Sequence, residues 1–249
     1  MAGAVTRFYP KNLPLKTEMD EDKIVVFLYE PPGGVAPVPA DASTPVLFFS
    51  GEWGYTPLHQ DASCDLAARG RYVLGIDSSE YFKKMLPGAS LAKDMALFRA
   101  TLNEAAKRRK DAPVILAGFS WGSGLVPYVL NRAGAQGVAG ALLIAPPRNG
   151  QAIFRAAIKL KMAVPEEEAF DVAREMARLP PIPVVLMQGS LDDQADAKGL
   201  LPSLRGARLL APIVGGDHQF HEVRDVFFDQ VNRALRWIET QPGDRPAAH

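Results

Sequence analysis

A single cysteine, Cys64, stands among 249 residues, so the chain can form neither an intramolecular disulfide nor a cysteine-based metal cluster. Neither sign of charge is in excess, with 28 Lys and Arg against 28 Asp and Glu; a nucleic-acid-binding protein would usually show a basic surplus. No stretch approaches the roughly 18 consecutive apolar residues of a membrane span. Residues 1–15 carry Arg7, Pro10, Lys11 and Pro14 and lack the apolar segment of a secretory signal. Read as given, the chain is expected to be soluble and cytoplasmic. Histidine is scarce as well, limited to His59, His218, His221 and His249, which leaves four candidates for any imidazole-based proton transfer.

What is present suits one sizeable α/β domain over residues 1–249, with a hydrophobic content of 47% to fill its core. Apolar runs at 23–30, 45–49, 72–77, 112–117, 139–145, 182–188 and 207–214 read as strands. Between them lie helical stretches: one through about Arg69, one over 91–109 with Leu91, Met95, Phe98 and Leu102 on one face, and one over 221–240 with Val223, Phe227, Val231, Leu235 and Ile238 on one face. Lys107, Arg108, Arg109 and Lys110 are expected to close the second of these favourably for its dipole. Cys64 is expected to pack within the first. Strands alternating with helices predict a mostly parallel sheet flanked by helices on both faces. About 35 residues, 146–181, separate two strands where a short crossover would suffice. They read either as a small lid or as a longer crossover containing a helix at 153–162 and an acidic helix from about Pro165. The tail over 241–249, rich in Pro and Ala, reads as mobile.

The most informative motif is Gly118-Phe119-Ser120-Trp121-Gly122. It matches G-x-S-x-G, preceded by the apolar run Ala112–Ala117 and followed by a helical stretch over 123–132. A serine on a sharp strand-to-helix turn has its hydroxyl pushed out above the sheet, beside the N–H groups of a helix N-terminus. Both glycines are needed where a side chain would strike the neighbouring strand or helix.

A serine hydroxyl becomes a nucleophile when a base takes its proton and an acid orients that base. On such an elbow the chain order is Ser, then Asp or Glu, then His. After the strand ending at Gln188 comes Gly189-Ser190-Leu191-Asp192-Asp193, and after that ending at Val214 comes Gly215-Gly216-Asp217-His218. The assignment is Asp192 as acid and His218 as base, with Asp193 and Asp196 as competitors for the acid. His221 reads as a rim or capping residue. The oxyanion hole calls for two backbone N–H groups: that of Trp121, and one from the turn Ser50-Gly51-Glu52-Trp53-Gly54-Tyr55, with Glu52 ahead of Trp53. The Glu52 carboxylate would either point away or select a cationic group on the substrate. Trp53, Tyr55 and His59 are candidates for the substrate pocket, and Trp53, Tyr55 and Trp121 for an aromatic wall. This chemistry needs no metal and no organic cofactor.

Elbow, strand pattern and Asp–His order resemble the α/β-hydrolase superfamily across nearly the whole chain. Three stretches are similar to the bacterial virulence-protein family VirJ/AcvB: Phe49–Tyr55, Val73-Leu74-Gly75-Ile76-Asp77-Ser78 with Tyr81-Phe82, and Gly118–Gly122 with Leu125-Val126-Pro127-Tyr128. The family shows S-G-D-G-G-W, G-x-D-S…Y-F and G-Y-S-F-G followed by V-L-P. This chain departs from it at Glu52, where the family has Asp, and at Trp53, where it has glycine. The resemblance implies an α/β-hydrolase fold and a serine hydrolase acting on a small-molecule or lipid-like ester, for some members an aminoacylated phospholipid such as lysyl-phosphatidylglycerol. It also implies export to the periplasm, and a lipid ester would require only transient membrane contact. Rivals on the same fold are a thioesterase or peptidase, and a non-catalytic binding or secretion-associated module. Oligomeric state, acyl chain and physiological role are left open by the sequence.

Overall fold

The computed structural model describes residues 10–18, 23–32, 43–82, 88–151 and 169–241. Its central strands are short and apolar on both sides, as a sheet covered on both faces requires. Eight of them form one sheet: β1 (Lys11–Lys16), β2 (Lys23–Tyr29), β3 (Val46–Phe49), β4 (Val73–Ile76), β5 (Val114–Phe119), β6 (Val138–Ile144), β9 (Val184–Gly189) and β10 (Arg208–Ile213). Their spatial order is β1-β2-β4-β3-β5-β6-β9-β10. From β4 to β10 every pairing is parallel, while β1–β2 and β2–β4 are antiparallel. Strand β1 was not read from the sequence. Its exposed, lysine-flanked residues give no apolar run, and pairing with β2 makes it a strand.

Period-two alternation divides the core. Leu47, Phe49, Leu116, Leu143 and Leu186 face one layer, with Leu91, Phe98 and Leu102 of α3 (Gly88–Ala105) and Leu125 and Val129 of α4 (Trp121–Ala133). Val46, Phe48, Ile115, Leu142 and Val185 face the other, with Leu58 and Leu66 of α1 (Pro57–Ala68) and Phe227, Val231, Leu235 and Ile238 of the last helix, Arg224–Thr240. Cys64 is buried in that second layer on α1. A one-turn helix α2, Ser78–Tyr81, follows β4.

Two sequence expectations shift. Helix α3 ends at Ala105 and has no basic residue in its last turn; the chain reverses at Lys107, with φ of 52°, so the basic cluster lies beyond the helix rather than closing it. The turn is secured by Asn103, whose amide donates to the carbonyls of Lys110 and Ala112. The second shift concerns residues 146–181. Strands β7 (Asn149–Gln151) and β8 (Ala169–Asp171) pair into an antiparallel ribbon, followed by α5 (Val172–Ala177) and later α6 (Ala197–Leu200). The last helix is therefore α7. The expected helix at 153–162 and the start of the acidic one fall on residues 152–168, outside the described residues, as do the tail from 242 and His249.

Candidate active site

The elbow glycines are dictated by close contacts. A Cβ on Gly122 would lie 2.1 Å from the Ser50 carbonyl oxygen, and one on Gly118 would lie 2.5 Å from the Gly122 carbonyl oxygen. Ser120 sits between them at φ 52° and ψ −124°, a conformation a non-glycine residue adopts at a cost of about 1–3 kcal/mol. Backbone bonds hold it there: its N–H donates to the Ile144 carbonyl at 2.8 Å, and its carbonyl accepts from the Ser123 N–H and hydroxyl. Helix α4 begins at Trp121, two residues earlier than its expected start.

The loops after β9 and β10 are fastened to each other. Ser190 N–H donates to the Ile213 carbonyl, Leu191 N–H to the Gly216 carbonyl, and Gly215 N–H to the Ser190 hydroxyl. They run so close that a Cβ on Gly189 would meet the Gly216 carbonyl oxygen at 2.2 Å. Gln188 ties the first loop from within. Its amide nitrogen donates to the carbonyls of Asp192 and Ala195, and its oxygen accepts the Ala197 N–H. The second loop is anchored by Phe220, a fully buried residue at φ 54° whose ring stacks 4.4 Å from that of Phe227.

These loops bring Asp192 and His218 to Ser120. Asp192 Oδ2 lies 2.9 Å from His218 Nδ1, and His218 Nε2 lies 3.0 Å from Ser120 Oγ. An ionised carboxylate only accepts, so Nδ1 carries the imidazole proton and Nε2 is left to accept from the serine hydroxyl. The Asp192 side chain is fully buried and its Oδ1 accepts the N–H groups of Gln194 and Ala195. Asp193 is exposed, and Asp196 caps α6 by accepting the Gly199 N–H. His221 is exposed and paired with Asp217 at 2.8 Å; its ring holds the Asp217 carboxyl below its ordinary range.

Ser120 and His218 open into a cleft of about 230 Å³ lined also by Glu52, Trp53, Thr56, Gln194 and Gln219. Trp53 stands at its mouth, 73% exposed. The expected aromatic wall does not assemble. Tyr55 is buried below the turn, stacked on Phe27 and bonded to the Ser63 hydroxyl, while Trp121 packs against Phe82 in the opposite core layer. Their hydrophobic area is better covered by the two cores than by solvent in a cleft.

His59 lines the floor of the cleft but is 1% exposed. Its Nε2 accepts the Gly51 N–H at 3.2 Å, so Nδ1 carries the proton and lies 2.8 Å from the Thr56 hydroxyl. Burial lowers its pKa to about 3. Gly51 N–H is thereby committed to His59 and Gly54 N–H to the Gly51 carbonyl, and Glu52 and Trp53 lie between them on the wall of the cleft. A second cavity of about 210 Å³ lies between α3 and α4, lined by Leu47, Met95, Leu116 and Val129 with Arg99. It holds no nucleophile and no base.

Sequence reasoning did not single out Gln188, Gln194 or Gln219. Each lies within a few residues of Asp192 or His218, and adjacency to those loops was the available signal.

The family model described as bacterial virulence protein (VirJ) matches residues 43–237. The chain belongs to the VirJ family. Solved structures share the fold at low identity. Est1E from Butyrivibrio proteoclasticus aligns with a TM-score of 0.63 and 12% identity, covering 94% of this chain and 100% of that one. A soluble variant of monoglyceride lipase from Saccharomyces cerevisiae aligns at 0.64 and 14%, covering 94% and 96%. XC6422 from Xanthomonas campestris, described as a serine hydrolase without a lid, aligns at 0.57 and 17%, covering 94% and 97%. These likenesses show the α/β-hydrolase fold for this VirJ-family chain. Curated proteins yield no match. Among the described residues, no helix is long and apolar enough to cross a membrane.

Proposed function

We propose that this protein is a serine hydrolase that cleaves a carboxylic ester through an acyl-enzyme. The observation that carries the reading is the unbroken relay from buried Asp192 through His218 to Ser120, at 2.9 and 3.0 Å, opening into a cleft. Ser120 Oγ attacks the ester carbonyl carbon as its proton passes to His218 Nε2. Asp192 holds the ring in the Nδ1–H tautomer and stabilises the imidazolium. The carbonyl oxygen becomes an oxyanion facing the main-chain N–H groups of Trp121 and Glu52. Collapse breaks the ester C–O bond, and His218 returns the proton to the departing alcohol. Water then gives its proton to His218, attacks the acyl carbon, and frees the acid and the Ser120 hydroxyl.

Glu52 lines the cleft with Ser120, and we infer that its carboxylate turns toward the substrate. It favours esters bearing a cationic group, of which an aminoacylated phospholipid with a lysyl group is one. Esters of lysine turned over faster than matched uncharged esters, with the gap closed by Glu52→Gln, would support this preference; equal turnover by both proteins would refute it.

The test of the mechanism is labelling by a fluorophosphonate, read by intact mass and peptide mapping, beside Ser120→Ala and His218→Ala. A single adduct on Ser120, absent from both variants, is expected. Folded protein that takes up no probe and turns over no ester in a panel including thioesters and peptides would overturn the reading in favour of a binding module.

A further inference from the structure

The segment Gly75-Ile76-Asp77-Ser78 contributes no group to the cleft, yet it holds the turn 50–55 at both ends, at Ser50 and at Gly54 and Tyr55. Strand β4 lies beside β3, so the residues leaving the two strands run side by side. Gly75 lacks a side chain where a Cβ would meet the Tyr55 ring at 2.3 Å, which lets Tyr55 lie flat beneath the turn. Asp77 Oδ2 accepts the Tyr55 N–H at 3.3 Å, and a Cβ on Gly54 would fall 2.7 Å from the same oxygen. Gly54 has φ of 78°, a backbone state that glycine adopts freely. The Ser78 N–H donates to the Ser50 hydroxyl at 2.9 Å, and that hydroxyl donates to the Gly51 carbonyl at 3.2 Å. His59 closes the inner side by accepting the Gly51 N–H.

The geometry points to Asp77 and Ser50 as positioning residues: with the Gly75–Ser78 segment as template, they fix the peptide planes of the turn to which the proposed mechanism assigns the second oxyanion donor. This rests on the reading under Proposed function. The physical reason is that a donor stabilises a transition state only if it is already aimed at the oxygen before charge develops. A free turn of this kind, carrying Gly51 and Gly54, would sample many orientations, and each clamp removes one of them.

Asp77→Asn separates the clamp from ordinary structure. Asp77 Oδ1 accepts the N–H and hydroxyl of Ser79 and the N–H of Glu80, capping α2, while Oδ2 faces the Tyr55 N–H. An asparagine keeps its oxygen on the donors at α2 and turns its NH₂ toward the Tyr55 N–H, donor against donor. Ser50→Ala is the second variant, and removes the link between Ser78 and Gly51. Two readouts are needed, kcat and KM on an activated ester and amide hydrogen exchange over residues 50–56. The expected result in either variant is kcat lowered about tenfold or more, approaching the roughly 10²–10³-fold found when an oxyanion donor is lost outright, with KM within twofold and exchange faster only in this segment. Unchanged kcat in both folded variants, or kcat and KM shifted together with exchange raised across the whole protein, overturns the inference. If the wild-type protein hydrolyses no ester, the ester reading fails and exchange alone decides: local loosening supports the template, and unchanged exchange overturns it.

Discussion

His59 offers a measurement in which a buried proton site sets stability. In the folded protein its ring is 1% exposed, its Nε2 lone pair is used by the Gly51 N–H, and burial lowers its pKa to about 3. In the unfolded chain a histidine titrates near its ordinary value of about 6.5. Below that value the unfolded state takes up a proton that the folded state refuses, so stability is complete above about pH 6.5 and falls as the pH drops toward 3. The limiting slope for one proton is about 1.4 kcal/mol per pH unit, which integrates to about 2.7 kcal/mol lost between pH 8 and 4.5. That is a large share of the roughly 5–15 kcal/mol that holds a typical domain together. Carboxylates such as Asp217 and Glu239, both shifted downward, also weaken the fold in acid. A variant is therefore needed to cancel them. His59→Gln does not titrate and retains an oxygen for the Gly51 N–H. Urea unfolding of both proteins between pH 8 and 4.5 should show the wild-type advantage over His59→Gln shrinking by about 2.7 kcal/mol as the pH falls. Parallel stability curves would refute a neutral, buried His59 and the clamp it places on the turn.

Asp192→Asn should lower ester turnover by roughly 10⁴-fold while leaving the fold intact, because the amide no longer selects the Nδ1–H tautomer of His218; exposed Asp193→Asn should stay within twofold, and the reverse ranking in steady-state kinetics would reassign the acid. Gly122→Ala drives a methyl group into the Ser50 carbonyl, a backbone atom that cannot swing aside, so both thermal stability and fluorophosphonate labelling should fall. A wild-type melting temperature and labelling rate in that variant would contradict the contact.

The alternation of apolar residues was legible because a strand buried on both faces has little else to do than fill two cores. Leu47 and Phe49 serve one layer, Val46 and Phe48 the other. The elbow was legible as a five-residue pattern, although only Gly118 is demanded from within it, by the Gly122 carbonyl; Gly122 is demanded by the Ser50 carbonyl at the end of β3. Strand β1 was not legible, since its alternation amounts to Leu13 and Leu15 around Pro14, too short to read, and its strand character comes from β2. The pocket aromatics misled for a related reason: a tryptophan or tyrosine beside an active-site motif carries no sign of which side of the sheet it faces. Trp53 reached the cleft, Tyr55 and Trp121 the cores.

By itself the sequence determined the layered α/β architecture and the chain order of serine elbow, acidic loop at 189–193 and histidine loop at 215–218, because both follow from local patterns that neighbouring residues impose on the backbone. Three things needed the tertiary structure. The choice of Asp192 over Asp193 at His218 depends on Gln188 and on a loop pair zipped through Ser190, Leu191 and Gly216. The role of His59 depends on burial beneath a turn eight residues earlier in the chain. The link from Asp77 and Ser78 to the turn at 50–55 depends on β3 and β4 lying side by side. The contacts of Asp77 and Ser78 with the turn, and of Ser190 and Leu191 with the β10 loop, join segments that the sheet sets side by side, and hydrogen bonds at 3 Å are decided by such placement rather than by residue type.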